Sequence, residues 1–187
     1  LLKKAKVKIV TGQAKFRDGK TVEVETETGT QIIRAENVVI ATGSQSVELP
    51  NLPFGGKVMS STEALALTTL PERMAVIGAG YIGLELGTAF ARMGSQVTVV
   101  EAMAQLLPLY DADLTKPVKR RLTERGITVL TDTKATALSE TGAALIVEGP
   151  EGRQELPADH ILVAIGRRPR TTGSGLEDLD LDPAAVL

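Results

Sequence analysis

The apolar positions of this chain change texture along its length. The first stretch alternates: in residues 21–26, Val22 and Val24 are interleaved with Glu23 and Glu25, as in a half-buried strand. Residues 6–10 and 14–16 form two further short strand patterns before it, and Asp18-Gly19 and Thr28-Gly29 supply turns. Val38-Val39-Ile40-Ala41 is a continuous apolar run, expected of a strand buried on both faces. Pro50, Pro53 and the Gly55-Gly56 pair then punctuate a linker.

Beyond the linker the texture becomes strand, helix, strand, helix, strand. A short helix is predicted around residues 62–66. The buried strand Met74-Ala75-Val76-Ile77 follows, then a helical pattern reaching Arg92 with Gly94 as its terminator. Val97-Thr98-Val99-Val100 is the next strand. A helix is expected near residues 114–124, stopping at Gly126, with its first turn placed at about Thr115 so that Pro117 is tolerated. Residues 127–130 form a third strand. Short alternating segments from Lys134 to Pro157, separated by Gly142, Gly149-Pro150 and Gly152, read as an antiparallel meander, and residues 161–165 as a last buried strand. The expected fold is α/β: a Rossmann-like, doubly wound parallel sheet with an inserted meander.

Charge and composition remove several function classes. A net charge of −2 with scattered basic residues gives no electrostatic case for nucleic acid or an anionic membrane. Lys119-Arg120-Arg121 sits in a helical pattern near Glu124, as a solvated helix face does. No apolar run approaches the roughly 18–20 residues of a membrane span, and a soluble, cytoplasmic protein is expected. Cysteine is absent, so the chain holds no disulfide, thiolate metal site or redox-active thiol pair. With one histidine, His160, entering an apolar strand, neither a histidine metal site nor a Ser-His-Asp triad is expected.

The chemistry lies in Gly78-Ala79-Gly80-Tyr81-Ile82-Gly83. Such a glycine pattern is weak evidence alone, but here it follows a strand, opens a helix and is answered by Glu101 at the end of the next strand, 18 residues beyond Gly83. Gly78 permits the tight turn, Gly80 removes a Cβ that would meet a pyrophosphate, and Gly83 lets the helix approach the sheet. Free backbone N–H groups and the helix dipole then favour the anion. A carboxylate at Glu101 accepts hydrogen bonds from both hydroxyls of an adenosine ribose and repels a 2′-phosphate, so NAD is expected over NADP. Glu85 is either a used carboxylate in an apolar turn or an early-helix acid facing solvent. Tyr81 either covers a ligand or packs.

Residues 76–87, from Val76 to Gly87, resemble the NAD fingerprint of the dihydrolipoyl dehydrogenase branch of the pyridine nucleotide–disulfide oxidoreductases. Ile40-Ala41-Thr42-Gly43-Ser44 and Val163-Ala164-Ile165-Gly166-Arg167-Arg168-Pro169 are similar to two further motifs of that family, in the same order. The resemblance implies an oxidoreductase that reoxidises dihydrolipoyl groups of 2-oxo acid dehydrogenase complexes, passing electrons through a disulfide and FAD to NAD+. A flavin NADH oxidase or peroxidase of the same architecture is the alternative. The resemblance also implies that residues 78–83 cradle the NAD pyrophosphate, Glu101 holds the ribose, Ala135 lines the adenine, and Gly166 lies beside the nicotinamide half. Glu85 matches a carboxylate near the nicotinamide, and Tyr81 a side chain covering the flavin. Thr42, Gly43 and Ser44 match a turn against FAD, and Ala14 a backbone contact on its adenine side. NADP-dependent relatives place arginines where Glu101 stands and near Leu107.

By the same resemblance, residues 1–57 are part of a FAD-binding domain, 58–168 the NAD-binding domain, and 169–187 a segment returning toward the first. No catalytic residue is expected in this chain, because the redox cysteines and the catalytic histidine of the family are not in it. The fragment alone is therefore expected to be inactive. In the complete enzyme a lipoyl-bearing acyltransferase and a second subunit of a homodimer are the implied partners.

Overall fold

Short loops and glycine-terminated helices dictate where the chain can turn back, and the computed structural model follows them. It describes residues 1–2 and 4–179. The chain divides into two units, residues 1–45 with the stretch from Pro169 onward, and residues 46–168.

The first unit is built on β1 (Gln13–Asp18), β2 (Thr21–Thr26) and β3 (Gly29–Arg34), an antiparallel meander in the order β1-β2-β3. Val22 pairs with Phe16 and with Ile33, and Val24 with Ala14 and Gln31, so the alternation seen in the sequence sets the register. Asp18 accepts from the Lys20 amide in the first turn, 2.8 Å, and Gly29 takes the left-handed φ of 123° in the second. Residues 169–179 tie back to this unit. Arg170 donates to the Gly43 carbonyl at 3.0 Å, and Phe16 to that of Ser174 at 2.7 Å.

Two expected strands are corrected here. Residues 38–41 are irregular and Val39 is 88% exposed; residues 6–10 are likewise outside any strand. An apolar run becomes a strand only when a neighbour pairs its N–H and C=O groups, and among the described residues none pairs with either segment. Two short strands, β4 (Ser44–Ser46) and β13 (Arg167–Pro169), lie where the chain passes between the units.

The second unit is a five-stranded parallel sheet in the order β5-β12-β6-β7-β8, formed by β5 (Val58–Met59), β6 (Arg73–Ile77), β7 (Gln96–Val100), β8 (Thr128–Leu130) and β12 (His160–Val163). Helix α1 (Ser61–Leu65) starts at Ser60 through a capping box: Ser60 Oγ accepts from Thr62 N–H at 3.1 Å, and Glu63 accepts from the Ser60 amide at 2.9 Å. Helix α2 (Tyr81–Met93) ends on Gly94 at φ 118°. Helix α3 (Ala112–Glu124) begins a turn earlier than expected, which puts Pro117 inside it, at the sixth position.

Both faces of the sheet are covered, and strict alternation along each strand decides which residue meets which layer. Met74, Val76, Val97, Val99 and Leu162 pack against Leu84 and Phe90 of α2 and Leu122 of α3. Ala75, Ile77, Val100, Ile161 and Val163 pack against Leu145 and Val147. These belong to a second antiparallel meander, β9 (Lys134–Leu138), β10 (Ala144–Gly149) and β11 (Gly152–Pro157), inserted between β8 and β12. The sheet is thus a middle layer between helices and meander. Its winding reverses at β6, with β7 on one side and β12 on the other, so a crevice opens beyond the carboxyl ends of β6 and β12. No helix among the described residues is long and apolar enough to cross a membrane.

Candidate functional site

At that crevice β6 runs into the glycine loop. Gly78 sits at φ 101°, and a Cβ there would stand 2.6 Å from the Ala164 carbonyl oxygen, so only glycine passes between β6 and the end of β12. A Cβ on Gly83 would stand 2.1 Å from the Gly78 carbonyl oxygen and 3.1 Å from Val76 Cγ1, so the first turn of α2 rests on the loop itself. Gly80 differs from both. It has extended backbone, φ −76° and ψ 176°, and a Cβ on it would meet no atom within 4 Å. Nothing in the protein demands a glycine there; open space faces it.

The amides of Tyr81, Ile82 and Gly83 precede the first helical bond, which Leu84 N–H makes to the Gly80 carbonyl at 3.0 Å. Their N–H groups and the helix dipole give the loop a positive end. Against it lies a carboxylate. Glu101, 8% exposed, accepts from the Ala79 amide through Oε2 at 2.7 Å and from the Met103 amide through Oε1 at 2.8 Å.

A cavity of about 570 Å3 opens over these groups, of a size to take a small organic ligand. Its wall includes Gly78, Gly80, Tyr81, Ile82, Glu101, Ala135 and Gly166, so the structure brings together seven of the ten residues expected around NAD. Ala79 and Gly83 are buried and lie outside the wall. Glu85 is exposed and outside the wall, one helical turn from Tyr81 on the same side of α2. Gly166 takes φ 146°, a conformation that favours glycine.

The sequence reading missed one wall. Residues 102–110, following Glu101, form a strap that contributes Met103, Leu107, Leu109 and Tyr110. Their signal was an apolar cluster in a loop with no helix or strand period, and Leu109 is 95% exposed. Ala135 is held on the opposite wall by a bulge in β9. Thr136 is the extra residue against β10, and its carbonyl accepts from Asn51 Nδ2 in the linker.

The residues expected at FAD lie in the first unit. Ala14 is exposed on β1, opposite Val24. Thr42 Oγ1 donates to the Arg170 carbonyl at 2.6 Å, and Gly43 has φ 73°. Ser44 begins β4. At the opposite end of the second unit's sheet, Arg73 and Asp159 form a forked contact. The guanidinium donates to Oδ1 at 2.6 Å and the Arg73 amide to Oδ2 at 2.8 Å, which together hold the Asp159 carboxyl below the usual carboxylate range.

Residues 1–184 match the family model described as pyridine nucleotide-disulphide oxidoreductase. The chain is 50% identical over 183 residues to the dihydrolipoyl dehydrogenase of Pseudomonas aeruginosa, covering 97% of this chain and 39% of that protein. It is 39% identical to the dihydrolipoyl dehydrogenase of Geobacillus stearothermophilus, with the same coverage. Among solved structures it is similar to LpdA from Mycobacterium tuberculosis, with a TM-score of 0.83 and 28% identity over 97% of this chain and 41% of that one. It is also similar to the HOCl-induced flavoprotein disulfide reductase RclA from Escherichia coli, with a TM-score of 0.81 and 29% identity over 94% and 40%. The chain thus spans about two-fifths of the length of the relatives it matches.

Proposed function

The chain belongs to the pyridine nucleotide-disulphide oxidoreductase family, and we propose that it is the NAD-binding portion of a dihydrolipoyl dehydrogenase. One observation carries this reading: the buried Glu101 carboxylate at the tip of β7, facing a glycine loop whose Gly80 opens onto a cavity. The relatives named dihydrolipoyl dehydrogenase, at 39–50% identity over nearly the whole chain, support this member over an NADH oxidase or peroxidase.

The residues present fit a dinucleotide. The amides of residues 81–83 and the bare Cα of Gly80 would hold the pyrophosphate, and Glu101 would accept from the adenosine ribose. Ala135 and the strap would flank the adenine, and Tyr81, Glu85 and Gly166 would face the nicotinamide half. The bound cofactors, NAD and FAD, supply the hydride chemistry. We assign residues 58–168, which lie within the second unit, to the NAD-binding domain, and the first unit, with Ala14, Thr42, Gly43 and Ser44, to the FAD side. In the complete enzyme, partnered with a lipoyl-bearing acyltransferase as a cytoplasmic homodimer, the electrons would come from dihydrolipoyl groups.

Charge sets the choice between dinucleotides. Two like charges about 4 Å apart repel by about 4 kcal/mol at an effective dielectric near 20. A 2′-phosphate beside Glu101 should therefore cost well over tenfold in affinity. Titrating the chain with NADH and NADPH at one ionic strength tests the reading. NADH should bind at least tenfold tighter; equal affinities, or no binding of either, would overturn it.

A further inference from the structure

Both oxygens of the Glu101 carboxylate are already engaged without any ligand. Oε2 takes the Ala79 N–H of the glycine loop, and Oε1 takes the Met103 N–H of the strap. The Ala79 carbonyl is engaged as well, accepting from Leu107 N–H at 2.9 Å. The strap is thus tied to a single residue of the loop twice, once directly and once through a side chain. Leu107 adopts the left-handed φ of 52°, a conformation that leucine rarely takes, immediately after Leu106, which is 2% exposed in the helix-side core. Tyr110 N–H closes on the Leu107 carbonyl at 2.9 Å, and Asp132 N–H on that of Met103 at 3.0 Å.

We propose that Glu101 is a positioning residue: its carboxylate staples the strap to the glycine loop and shapes the cavity before a dinucleotide arrives. This role rests on the reading of the cavity as a dinucleotide site but is separate from any bond to the ribose. Chemistry explains why the residue must be a carboxylate. Both partners are backbone N–H donors, so the side chain between them needs two acceptors and no donor. Glutamine offers one acceptor and sets its amide N–H against a main-chain N–H. Arginine offers only donors, leaving both N–H groups without this acceptor, that of Ala79 in a fully buried residue. It follows that Glu101→Arg lowers affinity for NADH and does not by itself create tight NADPH binding, even as it shifts the ratio between them.

The test uses the full chain and two readouts. In the ligand-free protein, amide hydrogen exchange at Ala79, Met103 and Leu107 should be slow. In Glu101→Gln it should be at least tenfold faster at Leu107 and at one of the other two, with Val76 and Val99 of the sheet still protected. The second readout is binding of an NADH analogue whose adenosine ribose lacks both the 2′ and 3′ hydroxyls. Glu101→Gln should weaken that analogue at least threefold, because the loss comes through the strap and not the ribose. Unchanged exchange, or wild-type affinity of the variant for the analogue, would overturn the proposal. Loss of protection spreading to Val76 and Val99 would also overturn it, since Glu101 would then support the fold at large. If the wild type bound neither NADH nor the analogue, the NAD reading would fail, and the exchange pattern alone would decide the staple.

Discussion

Gly80→Ala separates what the fold needs from what a ligand needs. The new methyl would meet no protein atom within 4 Å, and the backbone at φ −76° suits any residue. Alanine is a poorer helix N-cap than glycine by roughly 0.5 kcal/mol. The lost freedom of the unfolded chain returns about 0.4–1 kcal/mol. The ligand-free protein should therefore unfold within a degree or two of the wild type, since about 1 kcal/mol moves the midpoint of a chain this size by roughly 2–4 °C. A pyrophosphate crossing that open space would be pushed away from the amides of residues 81–83. Losing one hydrogen bond to a charged group costs about 1.5–3 kcal/mol, so NADH and NADPH should both weaken by about tenfold to a hundredfold, and Gly80→Val by more. Thermal unfolding without ligand, followed by calorimetric titration with each dinucleotide, reads both effects. Wild-type NADH affinity in Gly80→Ala would refute the placement of the pyrophosphate, and a fall of many degrees in the ligand-free midpoint would refute the open space.

Gly83→Ala should behave in the opposite way: its Cβ would collide with the Gly78 carbonyl oxygen, costing about 1–3 kcal/mol or more in the free protein, visible as a lowered midpoint before any ligand is added. Pro117→Ala should raise stability by about 1–2 kcal/mol, because proline at the sixth position of α3 has no N–H for the Asp113 carbonyl and crowds it; the urea midpoint should rise with an unchanged slope. Asp159→Asn should lower the melting temperature by a constant amount at neutral pH. The Arg73 contact holds the Asp159 carboxyl below its ordinary value, so its contribution is present above about pH 4 and lost as pH falls through the lowered folded value. The gap between wild type and variant should close in acid, and a gap that widened there would contradict the assignment.

The glycine loop and Glu101 were legible in sequence because their meaning is local. A strand texture, three glycines, a helical period and an acid at fixed spacing all lie within 28 residues, from Met74 to Glu101. What was not legible depends on distant partners. Residues 38–41 carry the composition of a buried strand, but strandhood belongs to a ladder, and no described residue offers one. Ala135 was named by the resemblance, but what holds it in the wall was not readable: Asn51 lies 85 residues from the Thr136 carbonyl it holds. Nor could spacing show that the Glu101 carboxylate has two backbone partners of its own, since Met103 belongs to an aperiodic loop. Pro117 misled for a different reason: proline preference placed the start of α3, whereas the helix begins at Ala112 and carries the proline within it.

Glu85 shows where the period was present and still left two readings open. Counting only Ile82, Leu84, Leu86, Ala89 and Phe90 as apolar surrounds Glu85 on every side and makes its charge look buried. The residues that α2 buries are Gly83, Leu84, Gly87 and Phe90, a helical stripe in which two of the four members have no side chain. The glycines belong to it because the helix lies directly on the sheet: a Cβ on Gly87 would touch Val76 Cγ2 and Val97 Cγ1, each at 3.5 Å. Counted as contact positions, they turn the stripe away from residue 85 and place Tyr81, Glu85, Ala89 and Arg92 on the exposed side. The carboxylate then carries no desolvation cost that would demand a partner, and its place one turn beyond Tyr81 leaves it free to meet whatever reaches the open end of the cavity.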